Sequence, residues 1–425
     1  MANCEPPINY ATCELPPIQS GDEFLPECEA LRRAARAKGG QVANPDITFT
    51  PTPFTYLDPA MIPPRQFLYG RHYIRGFVNA TVAPGGIGKS SLALVEAVAM
   101  ASARSLLGIQ PARPLKVWYI NLEDPREEIE RRVAAICLHF GIKPQEIERR
   151  LFFDGREIEI VLASQTKAGA IIASPVADAL ADALKDGEFD VLTLDPFVSA
   201  HRVTENDNMA IDAVAKTLGR IAGAANCAIE CVHHTRKTSG AEITAEDGRG
   251  ASALVAAARI VRVLNPMTKD EAEKCGVGEN HRFYFRSDVG KANLAPPNSK
   301  ATWYKLANIP LGNGSGGPID DQDYIGVATP WQWPDAFEGV TVTHLRAVQA
   351  LVAKGRYREN SQAKDWVGNA VAEVLGLDPA DKAVRAKIKQ VLDGWMKDGM
   401  FVVVEALDDK REKRPFVEVV KAASD

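Results

Sequence analysis

One octet constrains the fold more than any other stretch: Ala83-Pro84-Gly85-Gly86-Ile87-Gly88-Lys89-Ser90. It follows the apolar, β-branched run Gly76-Phe77-Val78-Asn79-Ala80-Thr81-Val82 and leads into Ser91-Leu92-Ala93-Leu94. That order predicts strand, tight glycine loop, helix. Glycines without Cβ let successive backbone N–H groups turn inward, and the positive end of the following helix adds to their field. Such a loop cradles phosphate. Pro84, Gly85, Gly86, Ile87, Gly88, Lys89, Ser90 and Ser91 form the nucleotide-binding stretch, with Lys89 reaching the β- and γ-phosphates and the Ser90 hydroxyl ligating Mg²⁺. The first glycine of the usual G-x-x-x-x-G-K-[ST] pattern is Ala83 here, which a strand exit at negative φ accommodates.

Two acids are then sought at strand ends, because acids at the carboxyl end of a sheet strand lie in the ligand crevice, whereas mid-strand acids are buried at a cost. The run Leu115 to Leu122 predicts a strand ending in Glu123-Asp124-Pro125, with a charged helix from Arg126 to Cys137 behind it. The run Phe189 to Leu194 ends in Asp195, which fits a Walker B aspartate holding the Mg²⁺ shell. Pro196 follows, so no acid stands next to Asp195 to activate water. Glu123, on the earlier strand, fills that role.

A further strand, Cys227 to Val232, ends in His233-His234, where a neutral histidine can donate one hydrogen bond to a γ-phosphate. A metal pair is disfavoured, since adjacent residues at a strand end diverge and no third ligand is evident. The polar run His201 to Asn208 either lines a channel or caps the next helix through Asp207 or Asn208. The loop Thr238 to Asp247, flanked by Arg236, Lys237 and Arg249, suits a single-strand phosphate track or a solvated charge run. Arg249 and Arg259 are candidates for an arginine acting on a neighbouring subunit's γ-phosphate, with an intrasubunit salt bridge as the alternative. Lys291 faces either the nucleotide or the channel.

The 425 residues suffice for two or three domains. A formal net charge of −5 excludes a generally basic nucleic-acid coat but not a local basic channel. Seven scattered cysteines without a C-x-x-C pair predict reduced thiols, and Cys4, Cys13 and Cys28 are spaced too widely for a zinc site. No leader pattern and no long uninterrupted apolar window occurs, so the expectation is a cytoplasmic protein with no membrane contact.

Residues 1–45 predict a flexible arm with a helix over Glu23 to Lys38, and a proline-rich lead-in follows. The ATPase domain spans 46–311. Residues 312–339 read as a glycine-rich linker with a short strand over Tyr324 to Val327. Residues 340–425 predict helices over Thr343–Ala353, Gln362–Leu375 and Asp381–Met396, then a hairpin with a basic tip, the order of a winged helix.

TVAPGGIGKSSLAL, YINLEDP, LTLDPF, VHHT and RGASAL, in this order, resemble the RepA-like ATPases of the RecA-type superfamily, which include the hexameric replicative helicase of broad-host-range plasmids. The likeness spans roughly Leu68 to Leu311. It implies an α/β fold, a RecA-like P-loop NTPase core with a mainly parallel twisted sheet flanked by helices. It implies ATP and Mg²⁺ held by Lys89, Ser90 and Asp195, Glu123 as the base for the attacking water, His234 as sensor and Arg259 as finger. It further implies a homo-hexameric ring with single-stranded DNA in its hole, hence a helicase or translocase of plasmid, phage or prophage replication. The arm and the winged-helix candidate depart from that compact helicase. They keep open an ATP-switched DNA-binding regulator or loader, or a recombination mediator.

Overall fold

A computed structural model describes residues 50–166, 169–235, 242–247, 251–294, 301–316 and 321–420. The Glu23–Lys38 helix, Cys4, Cys13, Cys28, Arg236, Lys237 and Arg249 lie outside the described residues. The chain divides into two units, up to Pro63 and from Pro64 onward. In the first, Asp58 accepts from the Ala60 amide at 2.9 Å and caps the 3-10 turn Pro59–Met61.

The second unit opens with a small ribbon, β1 (Phe67–Tyr69) and β2 (Tyr73–Ile74). There follow β3 (Val78–Ala83), α1 (Lys89–Ser102), β4 (Val117–Asn121), α2 (Arg126–Phe140) and β5 (Leu151–Asp154). A hairpin absent from the sequence expectation, β6 (Ala163–Thr166) with β7 (Gly169–Ile172), leads to α3 (Ser174–Asp186) and β8 (Val191–Asp195). Next come α4 (Asn208–Ala224), β9 (Ala228–His234), α5 (Ala251–Ala257), β10 (Ile260–Pro266) and α6 (Lys269–Cys275). Three long strands complete the sheet: β11 (Tyr284–Ala292), β12 (Thr302–Pro310) and β13 (Tyr324–Trp331).

These strands form one nine-stranded sheet in the order β13-β12-β11-β10-β3-β9-β8-β4-β5. It is parallel from β10 to β5 and antiparallel from β10 to β13. All six residues of β3 are buried, as a central parallel strand covered on both faces requires. On one face Leu92, Val98 and Met100 of α1 pack with Ile129 and Ile136 of α2. On the other, Leu180 and Leu184 of α3 pack with Val214 and Leu218 of α4. The strand crossing order sets β3, β9, β8 and β4 side by side, so their carboxyl ends share one rim.

The stretch expected as a linker differs. Its strand is eight residues long and belongs to the sheet, pairing Trp303 with Trp331 and Pro310 with Tyr324. The glycines of 312–316 lie in the connection between β12 and β13, where the Ser315 amide donates to Asp321 at 2.8 Å. Glycine-rich composition marks a turn in either setting, and only the partner strand tells a hairpin from a linker.

Other ambiguities resolve locally. Asp207 accepts from the Met209 and Ala210 amides, both at 3.1 Å, and is the N-cap of α4. Lys291 donates to the carbonyls of Val255, Ala256 and Ala258 at 2.6 to 2.9 Å, satisfying the C-terminal end of α5. Among the described residues, no helix is long and apolar enough to cross a membrane.

Beyond the sheet lie α7 (Val342–Lys354), β14 (Tyr357–Arg358), α8 (Gly368–Leu375), α9 (Lys382–Lys397), β15 (Phe401–Leu407) and β16 (Lys413–Val419). The three strands pair in the order β14-β16-β15. Val348, Trp366, Ile388, Leu392, Trp395 and Phe401 form a core of their own. The middle helix starts at Gly368, six residues later than expected, because Asn360 to Trp366 form turns that bury Trp366.

Candidate functional site

The loop after β3 takes the conformation that its glycines permit. Gly86 has φ +79° and Gly88 φ +104°, both in the region that disfavours side chains. A Cβ on Gly88 would lie 3.0 Å from Leu306 and 3.2 Å from Phe285, so the fold demands glycine there twice over. Ala83 is not among the residues with positive φ, which is why a methyl is tolerated at that position. Lys89 is 5% exposed, and its Nζ donates to the Pro84 carbonyl at 2.7 Å and to His234 Nδ1 at 3.0 Å.

A cleft of about 390 Å³ opens over this loop, within the range that holds a nucleotide-sized ligand. Gly86, Gly88, Lys89, Ser90 and Ser91 form its floor, and Glu123, Asp195 and His234 enter from the ends of β4, β8 and β9. The fold thus gathers Lys89, Ser90, Glu123, Asp195 and His234 from four strand ends of one rim. Pro84, Gly85 and Ile87 do not line the wall. Pro84 serves through its carbonyl, Gly85 is exposed, and Ile87 packs on the core.

Arg259 lies elsewhere. Its amide donates to Val78 at 2.9 Å and Ile260 pairs with Asn79, both at the start of β3, whereas the loop follows its end. The side chain is exposed at the opposite rim, 6.0 Å from the Phe77 ring. His233 and His234 diverge as the strand pleat requires: His233 sits 5.8 Å from the Phe197 ring, while His234 faces Lys89.

Three residues that the sequence expectation passed over hold the acids in place. Asn121 Oδ1 accepts from the Glu123 and Asp124 amides at 2.9 and 2.7 Å, an Asx turn that fixes the backbone from which both carboxylates leave. An Asn two residues before an acid at a strand end is a legible signal for that turn. Tyr119 donates to Asp195 Oδ2 at 2.7 Å across the β4–β8 pairing. Arg132 of α2 reaches the same cleft, as do Asp124 and Glu128.

The charges are tuned by burial. Burial pulls the Lys89 ammonium down to about 8, with Asp195 and Glu123 opposing. It lifts the Glu123 carboxyl, helped by Asp195 and Asp124 and opposed by Lys89. Burial and then Lys89 lower His234 below its ordinary value, so at neutral pH the ring is uncharged. Lys89 donates to Nδ1, which leaves the ring proton on Nε2 as a hydrogen-bond donor. A hydroxyl and carboxylates beside a phosphate cradle are the oxygen donors that a hard divalent cation takes, so Ser90 and Asp195 fit Mg²⁺.

The remaining wall is Ile136 of α2 and Leu306 of β12 with Tyr324, Ile325, Gly326 and Val327 of β13. Ser91 fastens it: its Oγ donates to the Gly326 carbonyl and accepts from the Ala328 amide, both at 2.8 Å. One hydroxyl thereby satisfies two backbone groups of an edge strand. Ser91→Ala removes both bonds, and because the Gly326 carbonyl is exposed and can take water instead, the loss is about 0.5–1.5 kcal/mol. Amide exchange of Gly326 and Ala328 is expected to accelerate while that of β3 stays unchanged. Equal protection in the variant would show that β13 is held by other contacts.

A family model described as an AAA domain matches residues 45–240. That stretch contains every cleft residue contributed by the floor, β4, α2, β8 and β9, and ends before β10 to β13. Among solved structures, the crystal structure of the RadB recombinase is similar over 55% of this chain and 89% of its own, at 16% identity and a TM-score of 0.36.

Proposed function

We propose that the chain is an ATPase of RecA type that acts on single-stranded DNA as a ring helicase or translocase in plasmid, phage or prophage replication. The observation that carries the ATPase reading is the convergence of Lys89, Ser90, Asp195 and Glu123 on one cleft, with the base on β4 beside the Walker B strand. Water attacks the γ-phosphorus, the bond to the ADP oxygen breaks, and Glu123 accepts the proton that the water loses. Lys89 balances the charge that develops on the phosphate oxygens. His234 donates from Nε2 toward the transferred group and reports its presence to β9. Ser90 and Asp195 would hold Mg²⁺, which would supply charge neutralisation on the phosphate chain.

We read Arg259, exposed at the opposite rim, as the residue that completes a neighbour's cleft in the homo-hexamer that the family resemblance implies. The C-terminal elements run helix, short strand, two helices and hairpin, with β14 pairing with β16, and we read them as a winged helix that contacts DNA. That module also favours a second reading, an ATP-switched DNA-binding regulator or loader, or a recombination mediator. A strand-displacement assay separates them. Unwinding of a tailed duplex, with hydrolysis accelerated by single strands and abolished in Lys89→Ala, is the expected result. Duplex binding or strand exchange without unwinding sinks the helicase and leaves the switch or the mediator.

A further inference from the structure

One contact of the C-terminal elements has no part in the proposed function. Helix α9 turns its apolar side, Ile388, Val391, Leu392 and Trp395, into the core of its own module. At about 100° per residue, Gln390 lies about 200° round from both Ile388 and Leu392, hence on the outward side, and Ala383, two turns earlier, falls on the same stripe. That stripe meets α6, the helix that joins β10 to β11. Gln390 Nε2 donates to the Lys274 carbonyl, in the last turn of α6, where helical carbonyls lack a partner within the helix. Gly276 caps α6 at φ +74°, and a Cβ there would stand 2.8 Å from Ala383 Cβ, so only glycine lets the two helices come this close. Beside the stripe, Lys387 donates to the Glu338 carbonyl at 2.9 Å.

We infer that α6 is an autoinhibitory cover: it occupies the side of α9 that enters the major groove of duplex DNA, so the C-terminal module takes up a duplex through α9 only after α9 leaves α6. This rests on the winged-helix reading, in which the last of the three helices is the one that reaches the groove. The charge of α9 suits that competitor. It carries Lys382, Arg385, Lys387, Lys389 and Lys397 against a single acid, Asp393, and Lys382, Lys389 and Lys397 stay exposed while the stripe is covered, free to meet phosphates. The alternative is a permanent strut, in which α9 never leaves α6 and any duplex is met by the β15–β16 hairpin.

Amide exchange on the full chain, with and without a saturating random-sequence duplex, separates cover from strut. Seven residues are too few to hold a helix without packing, so release of α9 is expected to accelerate exchange at the Ala272 and Val277 amides, which bond within α6 and its cap. A duplex that binds while these amides stay as protected as before overturns the inference, because it has bound elsewhere. Gly276→Ala attacks the contact from the α6 side and leaves every residue of α9 in place. Its duplex affinity, read by fluorescence anisotropy at fixed salt, is expected to rise about five- to tenfold as the closed fraction is released. Unchanged affinity overturns the cover. Should Gly276→Ala melt below the assay temperature, the exchange of the wild-type chain decides alone. The two failures are distinct: a duplex bound without release of α6 leaves the winged helix as a DNA module, whereas no duplex binding by either protein removes that reading and the inference with it.

Discussion

Replacing Glu123 by Gln is expected to lower ATP hydrolysis by about 10²–10⁴-fold while ATP still binds. The amide keeps the volume of the side chain, and the Asx turn survives because Asn121 bonds to the backbone of residue 123 and not to its side chain. What is lost is the capacity to accept the proton of the attacking water. Phosphate contacts from Lys89 and the loop are untouched, so a fluorescent ATP analogue should bind with near wild-type affinity. The wild-type rate should also fall in acid at a higher pH than an ordinary carboxylate would give, since burial first and then Asp195 and Asp124 lift the Glu123 carboxyl. Unchanged turnover in the variant would move the base elsewhere in the cleft.

Arg262→Leu is expected to cost about 3–5 kcal/mol of stability, the usual penalty for stripping one partner from a buried ion pair. Arg262 donates to Glu96 Oε2 at 2.6 Å and to Thr81 Oγ1 at 2.7 Å, and Tyr73 donates to Glu96 Oε2 at 2.8 Å. Thr81 in turn donates to Glu230, which also bonds His72 at 2.7 Å. Glu96 is 1% and Glu230 0% exposed, so without the guanidinium Glu96 has no cation and Glu230 keeps only His72. Thermal melting should show a drop of roughly 5–10 °C, smaller in Glu96→Leu/Arg262→Leu, where the stranded Glu96 carboxylate is gone. A variant as stable as wild type would mean that α1 is held on the sheet by its apolar contacts alone.

The same network gives the fold an acid sensitivity. Burial alone would lift the Glu230 carboxyl, but His72, with its charge and its hydrogen bond, and then Arg262 and Thr81 hold it below its ordinary 4.5. A carboxyl lowered in the folded state contributes stability that is complete above its unfolded value and drains away as pH falls through the folded one.

Legibility followed the range of the physics. The phosphate loop, the strand-end acids Glu123 and Asp195, and the strand-end histidine His234 are each set by a few neighbouring residues: glycines that permit positive φ, apolar runs that build strands, polar side chains where a buried strand meets solvent. Those signals are local, and the chain order alone carries them. Asn121 was within reach on the same terms, because an Asx turn acts over two residues.

The buried charges were not. Glu96, Glu230 and Arg262 lie in segments whose apolar pattern reads as helix and strand, and nothing in each segment names the other two. They are tolerable only because sheet pairing brings β3, β9 and β10 side by side under α1. Arg132 is similar. Its sequence context is a charged helix surface, and only the seating of α2 beside β4 turns that surface into a wall of the cleft.

From its residues alone this chain shows that it builds a phosphate-binding loop between a buried strand and a helix, with acids on two later strands, because backbone conformation and strand ends are governed by adjacent side chains. That β13, more than two hundred residues after the loop, closes the cleft through Ser91, and that Arg259 stands at the opposite rim from Lys89, were settled by strand order and register. Those depend on hydrogen bonds between distant segments, for which each segment carries only half of the pairing.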